Sequence, residues 1–407
     1  MHSNKGTRSV DFIWALLGRG GAAALQALTL VLLARLSNPQ DFGLTMGAQG
    51  VLFTAAYFLG FGLGPYVTIE QAKQRYSEVV TEIVHVNQRT SIASGVLCFL
   101  GLAAASVIEP ALLALLPLSI AMLAMRNSAV LEGIALANRR VRMFGASLFL
   151  RRLFQLLLFA VLAFIGVDPL LSYSIAFAAS ETAINLFLRK IVGRVPRPVS
   201  RPHFRQLIRR AAPYWIETVS VQFRGLDVSS AGFIGGTAIG GIYAVPARFS
   251  SAILMVPSTF ANLCLPRIAA GTPKTFKRVC IASVPVILFV FLLLSLLAYY
   301  AETIIQLLLG PAYLSAVLPT QIFCIGFAAL TCITIANSLV QGIGLARHVA
   351  WTSMLGAFLL VAFVGVGAGL HGATGSSWGY SIAVVIQLIL LIGSTAAGVR
   401  IYLRSGP

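Results

Sequence analysis

A chain of 407 residues that is 58% hydrophobic and 10% charged, with a mean hydropathy of +0.88, cannot cover a water-facing surface, because soluble domains are nearer a quarter charged. Its formal net charge of +18 would suit a nucleic-acid partner only if a soluble domain carried a basic face, and no stretch of the sequence supplies one. Lipid is therefore the expected solvent, and the expected fold class is an all-α polytopic membrane protein.

Taken in chain order, apolar runs punctuated by Pro, Gly and charge predict about twelve helices. The first set falls at 10–35, 41–66, 88–108, 111–137, 145–166 and 169–191. The second falls at 207–234, 238–268, 278–299, 314–340, 348–369 and 373–400. The first run stands behind Lys5 and Arg8 like a secretory leader, but it continues to Leu36, too long for that role. It is expected to be a retained transmembrane helix.

The basic residues alternate with these runs. Lys5 and Arg8 lie on one side, joined by Lys73, Arg75 and Arg89, and then by Arg139, Arg140, Arg142, Arg151 and Arg152. A dense group from Arg189 to Arg210 follows, then Arg267 to Arg278, Arg347, Arg400 and Arg404. That side holds 25 of the 30 Lys and Arg residues, and only Arg35 falls opposite. Positive charge is retained on the cytoplasmic side of membranes, so both termini are expected there.

The longest polar stretch, GRVPRPVSRPHFR from Gly193 to Arg205, reads as a stiff cationic linker. It divides the chain into an N-terminal six-helix lobe (1–192), a linker (193–206) and a C-terminal six-helix lobe (207–407). Six is even, so both lobes enter the membrane in the same direction, and any internal symmetry is of the parallel kind. A weak repeat agrees: PQDFGLTMGAQGVLFTA (Pro39 to Ala55) aligns with TAIGGIYAVPARFSSAI (Thr237 to Ile253).

Several segments together resemble the polysaccharide-transport flippases of the multidrug/oligosaccharidyl-lipid/polysaccharide exporter superfamily. They are LLGRGGAAALQALTLVLLARLSNPQDFGLTMGAQ at the first hairpin and APYWIETVSVQFRGLDVSSAGFIGGTAIGGIYAVPARFSS at the seventh and eighth helices. LLLGPAYLSAVLPTQIF (Leu307 to Phe323) and HGATGSSWGYSIA (His371 to Ala383) complete the set. The resemblance implies two six-helix lobes around a central cavity and transport by alternating access. Its implied cargo is a lipid-linked oligosaccharide on an undecaprenyl-pyrophosphate-type carrier, moved to the outer leaflet. A bacterial inner membrane, membrane lipids as surroundings and polysaccharide-assembly membrane proteins as partners are implied with it.

Ionisable residues inside a membrane are costly and face a cavity or a partner. Here they are Arg19, Arg126, Glu181, Glu217, Arg224, Asp227 and Arg248. At a rise of about 1.5 Å per residue, Arg19 lies roughly 13 Å and Arg248 roughly 15 Å into its helix. A guanidinium grips phosphate oxygens bidentately without losing its charge, so Arg19 and Arg248 are the first candidates for holding an anionic head group. Arg224 and Arg126 come second. Arg224 and Asp227 could instead neutralise one another as i, i+3 neighbours, and Arg126 could snorkel.

Glu181, Glu217 and Asp227 are candidates for coupling to H⁺ or Na⁺, with the membrane potential as a further driving force. Against a Na⁺ site, the eleventh helix brings no acidic or Asn residue. The five cysteines read as small core residues, and the histidines show no metal spacing. Gly20-Gly21, Gly235-Gly236 and Gly240-Gly241 read as sites of close helix packing. Pro213, Pro246, Pro257 and Pro285 are expected to kink their helices.

No cofactor motif or hydrophilic catalytic loop is present, so the chain is not expected to be an enzyme. A membrane-embedded glycan polymerase or ligase is the weaker alternative, since the longest outer segment, 299–313, carries Glu302 as its only charge. A cation-coupled multidrug exporter of the same superfamily is the other alternative, disfavoured because such cargo calls for an acidic interior.

Overall fold

Backbone polar groups in lipid must pair within the segment that carries them, and this chain meets that demand with helices throughout. The computed structural model describes residues 5–138, 140–193, 195–196, 204–269 and 272–404, and among the described residues there is no strand. The helices are α1 (Lys5–Leu36), α2 (Pro39–Phe58), α3 (Leu63–Lys73), α4 (Glu78–Ala105), α5 (Leu118–Ala137), α6 (Val141–Phe164) and α7 (Pro169–Val192). They continue as α8 (Phe204–Phe223), α9 (Asp227–Gly235), α10 (Thr237–Ile253), α11 (Met255–Ala269), α12 (Pro273–Tyr299), α13 (Ala301–Leu308), α14 (Val317–Gly342) and α15 (Ala346–Arg404). Among the described residues, six helical spans are long and apolar enough to cross a membrane, or seven if α2 and α3, bent by 43°, count as one.

Every predicted helix falls on helical residues, and the differences have local causes. The third helix, predicted from 88, begins at Glu78, because Ser77 caps it by accepting the Val80 N–H at 3.4 Å. The seventh is interrupted by a 3-10 turn at Arg224–Leu226 between α8 and α9, and the eighth is broken at Leu254 between α10 and α11. α7 starts where expected, with Asp168 accepting the Leu171 N–H at 2.9 Å and Pro169 in its first turn.

The chain forms two compact units, residues 1–37 with 48–222 and residues 38–47 with 223–407. In the first, α1 lies along α6, α7 packs on α5 and α6, and α3 and α4 pack on α5. Its core includes Leu63, Val67, Ile83, Ile134 and Leu188, all at 0% exposure. α8 is built into this unit. Leu207 and Ala211 join that core, the Trp215 indole N–H donates to the Phe58 carbonyl at 2.7 Å, and Tyr214 stacks on Tyr66. Packing therefore draws the boundary after Gln222, not at the basic linker, most of which lies outside the described residues.

In the second unit α14 packs against α15, α9 against α10 and α15, and α11 against α12 and α14. α15 is two helices in sequence, broken at His371 and Gly372, where Gly372 takes φ 59°, a region open to glycine. The Ser376 hydroxyl donates back to the Val364 carbonyl at 3.3 Å, so the two parts form an antiparallel hairpin. Outside these cores large apolar side chains stand bare: Ile108 is 89% exposed, Phe164 92% and Phe233 93%. Surfaces of that kind need a lipid environment. Cys98, Cys264 and Cys324 are buried, Cys280 and Cys332 are half-buried, and none of the five is in a disulfide.

Candidate functional site

Each unit holds its own set of buried ionisable groups. In the first, α5 supplies Glu132, α6 supplies Arg151, Arg152 and Gln155, and α7 supplies Glu181. Arg151 lies between two carboxylates: its Nη2 donates to Glu132 Oε1 at 2.5 Å, and its Nε is 3.4 Å from Glu181 Oε2. Arg152 donates to Gln155 Oε1 at 2.8 Å and rests 5.5 Å from the Phe177 ring centroid, a cation–π contact. Tyr57 lies within electrostatic reach of all four charges.

This cluster corrects the sequence-based placement of Arg151 and Arg152 in a basic loop. α6 begins at Val141, so both lie about three turns inside it, and Arg151 is buried. A guanidinium so removed from water needs a counter-charge, which the carboxylates of the neighbouring helices provide. Glu132 was absent from the expected set. Its clue in the sequence is an acid at internal depth in the fourth helix, facing no basic neighbour on its own helix. Glu181, a coupling candidate, is engaged with Arg151.

Arg126 also belongs to the first unit, at 4% exposure. It donates through Nη1 to the Thr90 carbonyl at 2.7 Å and through Nη2 to the Thr90 hydroxyl at 2.9 Å. Those bonds tie α5 to α4 and keep it apart from the cluster above.

In the second unit Arg224 and Asp227, at the two ends of the 3-10 turn, have different partners. Arg224 Nη2 donates to Gln387 Oε1 at 3.0 Å, reaching the second part of α15. Asp227 accepts the Val228 N–H at 2.7 Å and the Tyr243 hydroxyl at 3.1 Å, and lies in the field of Arg248. Tyr380, stacked on Phe323 with centroids 3.9 Å apart, is within reach of both Arg224 and Asp227. The i, i+3 neutralisation open to Arg224 and Asp227 gives way to these longer-range partners, which α15 and α10 supply. Tyr380 thus links Arg224 to Asp227, and Arg248 stands on the Asp227 and Tyr243 side, as candidates of the second unit. Arg19 and Glu217 sit on α1 and α8, but their side chains lie outside the described residues.

Long apolar helices that hold inner charged groups in each of two units define a polytopic membrane protein. Solved structures share this fold. A lipid II flippase, MurJ, in an inward closed conformation matches with a TM-score of 0.80 at 13% identity, covering 94% of this chain and 87% of its own. An inward-facing multidrug resistance MATE family transporter of the MOP superfamily matches at 0.77 and 12% identity, covering 95% and 96%. A MOP superfamily transporter from Pyrococcus furiosus, described as having a binding pocket of reverse polarity, matches at 0.62 and 11%, covering 97% and 95%. The profile of the polysaccharide biosynthesis protein family matches residues 10–271, and the chain belongs to that family. Compared with curated proteins, the sequence matches none.

Proposed function

We propose that this protein is an alternating-access flippase that carries a lipid-linked oligosaccharide, on an undecaprenyl-pyrophosphate-type lipid, from the inner to the outer leaflet of a bacterial inner membrane. Both termini face the cytoplasm in this reading, and the exported glycan feeds polysaccharide assembly. The observation that carries it is the excess of guanidinium over carboxylate on α10 and the α8–α9 turn, where Arg224 and Arg248 accompany the single carboxylate of Asp227. A pyrophosphate head group is anionic, and arginine binds it bidentately at constant charge. Family membership supports the same reading, as does the fold shared with a protein described as a lipid II flippase.

Arg248 and Arg224 of the second unit would bind the head group, and Arg19 of the first is a separate candidate for the same chemistry; Arg126, bonded to Thr90, is left out of it. Coupling to H⁺ or Na⁺ would run through Asp227, Glu181 or Glu217, and the membrane potential would act on the same charges. Multidrug export is the second reading, favoured by the fold shared with a multidrug resistance transporter. The sign of the internal charge separates the two, since a cationic drug gains nothing from Arg248. An enzymatic role as polymerase or ligase has no comparable support.

The test is leaflet-specific accumulation of the lipid-linked oligosaccharide in cells lacking the protein, complemented with wild type, Arg248→Ala or Arg19→Ala at matched expression. Build-up on the inner leaflet, relieved by wild type and not by the variants, is the expected result. Normal crossing without the protein rejects the proposal and turns attention to export of cationic small molecules.

A further inference from the structure

Away from both charged clusters, the first unit holds a cavity of about 440 Å³ between α4, α5 and the end of α7. Its polar wall is formed by His85, Gln88, Asn127, Arg189 and Lys190, and among the described residues no carboxylate lines it. Each position follows from the local fold. Arg189 and Lys190 occupy the last turn of α7, which ends where Gly193 adopts φ 80° and returns its N–H to the Arg189 carbonyl at 3.0 Å. His85 and Gln88 stand at i, i+3 on α4 and so share a face. The His85 ring is steadied by a contact of 3.2 Å between Nδ1 and the Thr81 carbonyl.

Two buried amides set the depth of the cavity. Asn87 and Asn127 are 3% and 6% exposed, and Asn87 Nδ2 donates to Asn127 Oδ1 at 3.0 Å. The bond engages the Asn127 oxygen, so the NH₂ group is the part of this amide that remains for a ligand. The cavity therefore offers N–H donors and positive charge, a set suited to phosphate oxygens. Its remaining wall is apolar. Just before the basic pair on α7, Leu186 and Phe187 stand 55% and 37% exposed, and such side chains on a membrane helix meet acyl chains.

We propose that this cavity binds the phosphate head group of an anionic phospholipid from the leaflet at the basic end of α7. A free phosphate would satisfy the donors but leave Leu186 and Phe187 without a partner, whereas a phospholipid satisfies both at once. Long basic side chains at a helix end reach to that level of the bilayer. The inference rests on the membrane-spanning reading and is independent of the cargo, which plays no part in its test.

The experiment uses the full-length protein, delipidated in detergent and placed in phosphatidylcholine nanodiscs with or without phosphatidylglycerol, with bound lipid measured by native mass spectrometry. Combining Arg189→Ala with Lys190→Ala is expected to weaken phosphatidylglycerol binding at least tenfold. Gln88→Glu, which puts a carboxylate on an exposed part of the wall, is expected to weaken it several-fold. Arg205→Ala with Arg209→Ala, exposed cations on α8, should leave it unchanged. An equal loss in that control would mean diffuse surface attraction and overturns the proposal. Displacement of the lipid by a tenfold excess of inorganic phosphate overturns it as well, in favour of a soluble anion. If the double variant loses its melting transition in pure phosphatidylcholine, the singly charged changes Arg189→Gln and Gln88→Glu decide, and wild-type binding in both rejects the site.

Discussion

Gly43 of α2 and Gly241 of α10 meet backbone to backbone, each occupying space that a side chain on the other would need. A Cβ on Gly43 would fall on the Thr237 carbonyl and the Gly241 N–H, and a Cβ on Gly241 on the Pro39 carbonyl and the Gly43 N–H. These are matched positions of the weak repeat, fifth residue facing fifth residue and first carbonyl answering first carbonyl. The first residues of the two repeat segments thus lie against one another within the second unit.

Because backbone and not a flexible side chain is in the way, Gly43→Ala and Gly241→Ala are each expected to cost about 1–3 kcal/mol, as overpacking does. Gly101→Ala, where a methyl group would meet nothing within 4 Å, should melt like wild type. Thermal unfolding in detergent, followed by tryptophan fluorescence, compares the three. A wild-type transition for Gly241→Ala would show that the contact is not tight in solution.

The Glu132–Arg151–Glu181 cluster makes a different demand. Arg151→Met leaves two buried carboxylates facing Arg152 and should destabilise by about 3–5 kcal/mol. Adding Glu132→Gln restores one acid to one base, and about 1–3 kcal/mol should return as coupling energy. A double-mutant cycle on urea or thermal unfolding measures it, and strictly additive losses would show that the cluster does not act as a unit.

Arg224 is oriented by Gln387 across to α15. Gln387→Leu should therefore reduce glycolipid crossing several-fold while leaving the guanidinium charge in place, and Arg224→Ala should reduce it at least tenfold. Both are read in the leaflet assay at equal protein level. Normal crossing in Arg224→Ala would remove this residue from the head-group site.

Arg126 is the reverse case, since its hydrogen bonds go to Thr90. Replacing a buried ion by an apolar residue of similar volume is often neutral, so Arg126→Met is expected to keep both its melting temperature and its transport within twofold of wild type. A folded variant that no longer transports would instead give Arg126 a direct hand in the cargo.

Helix positions were legible because period and punctuation are local properties. The hairpin at His371–Gly372 fell between the predicted ends at 369 and 373. The buried clusters were less so, since each joins residues on different helices that no spacing rule connects. Arg151 and Arg152 were counted with the loop arginines because the fifth helix was predicted from 145, four residues later than α6 begins. That shift brought them near its apparent end. Arg224 and Asp227 stand out in the sequence, but their partners, Gln387 and Tyr243, are supplied by tertiary packing. Nothing in the local sequence announces the 3-10 turn at Arg224–Leu226.

The two clusters also differ in how a voltage acts on them. Glu132, Glu181, Arg151 and Arg152 sum to zero formal charge, so any movement of the first set through the bilayer field takes no net electrical work. Arg224, Asp227 and Arg248 sum to one positive charge, for which the full membrane potential represents about 2.3 kcal/mol per 100 mV. An anion carrying two charges, once seated there, turns that sum to one negative. Empty and loaded forms would then be pulled in opposite directions by the same voltage, and the load itself would set the direction of the pull.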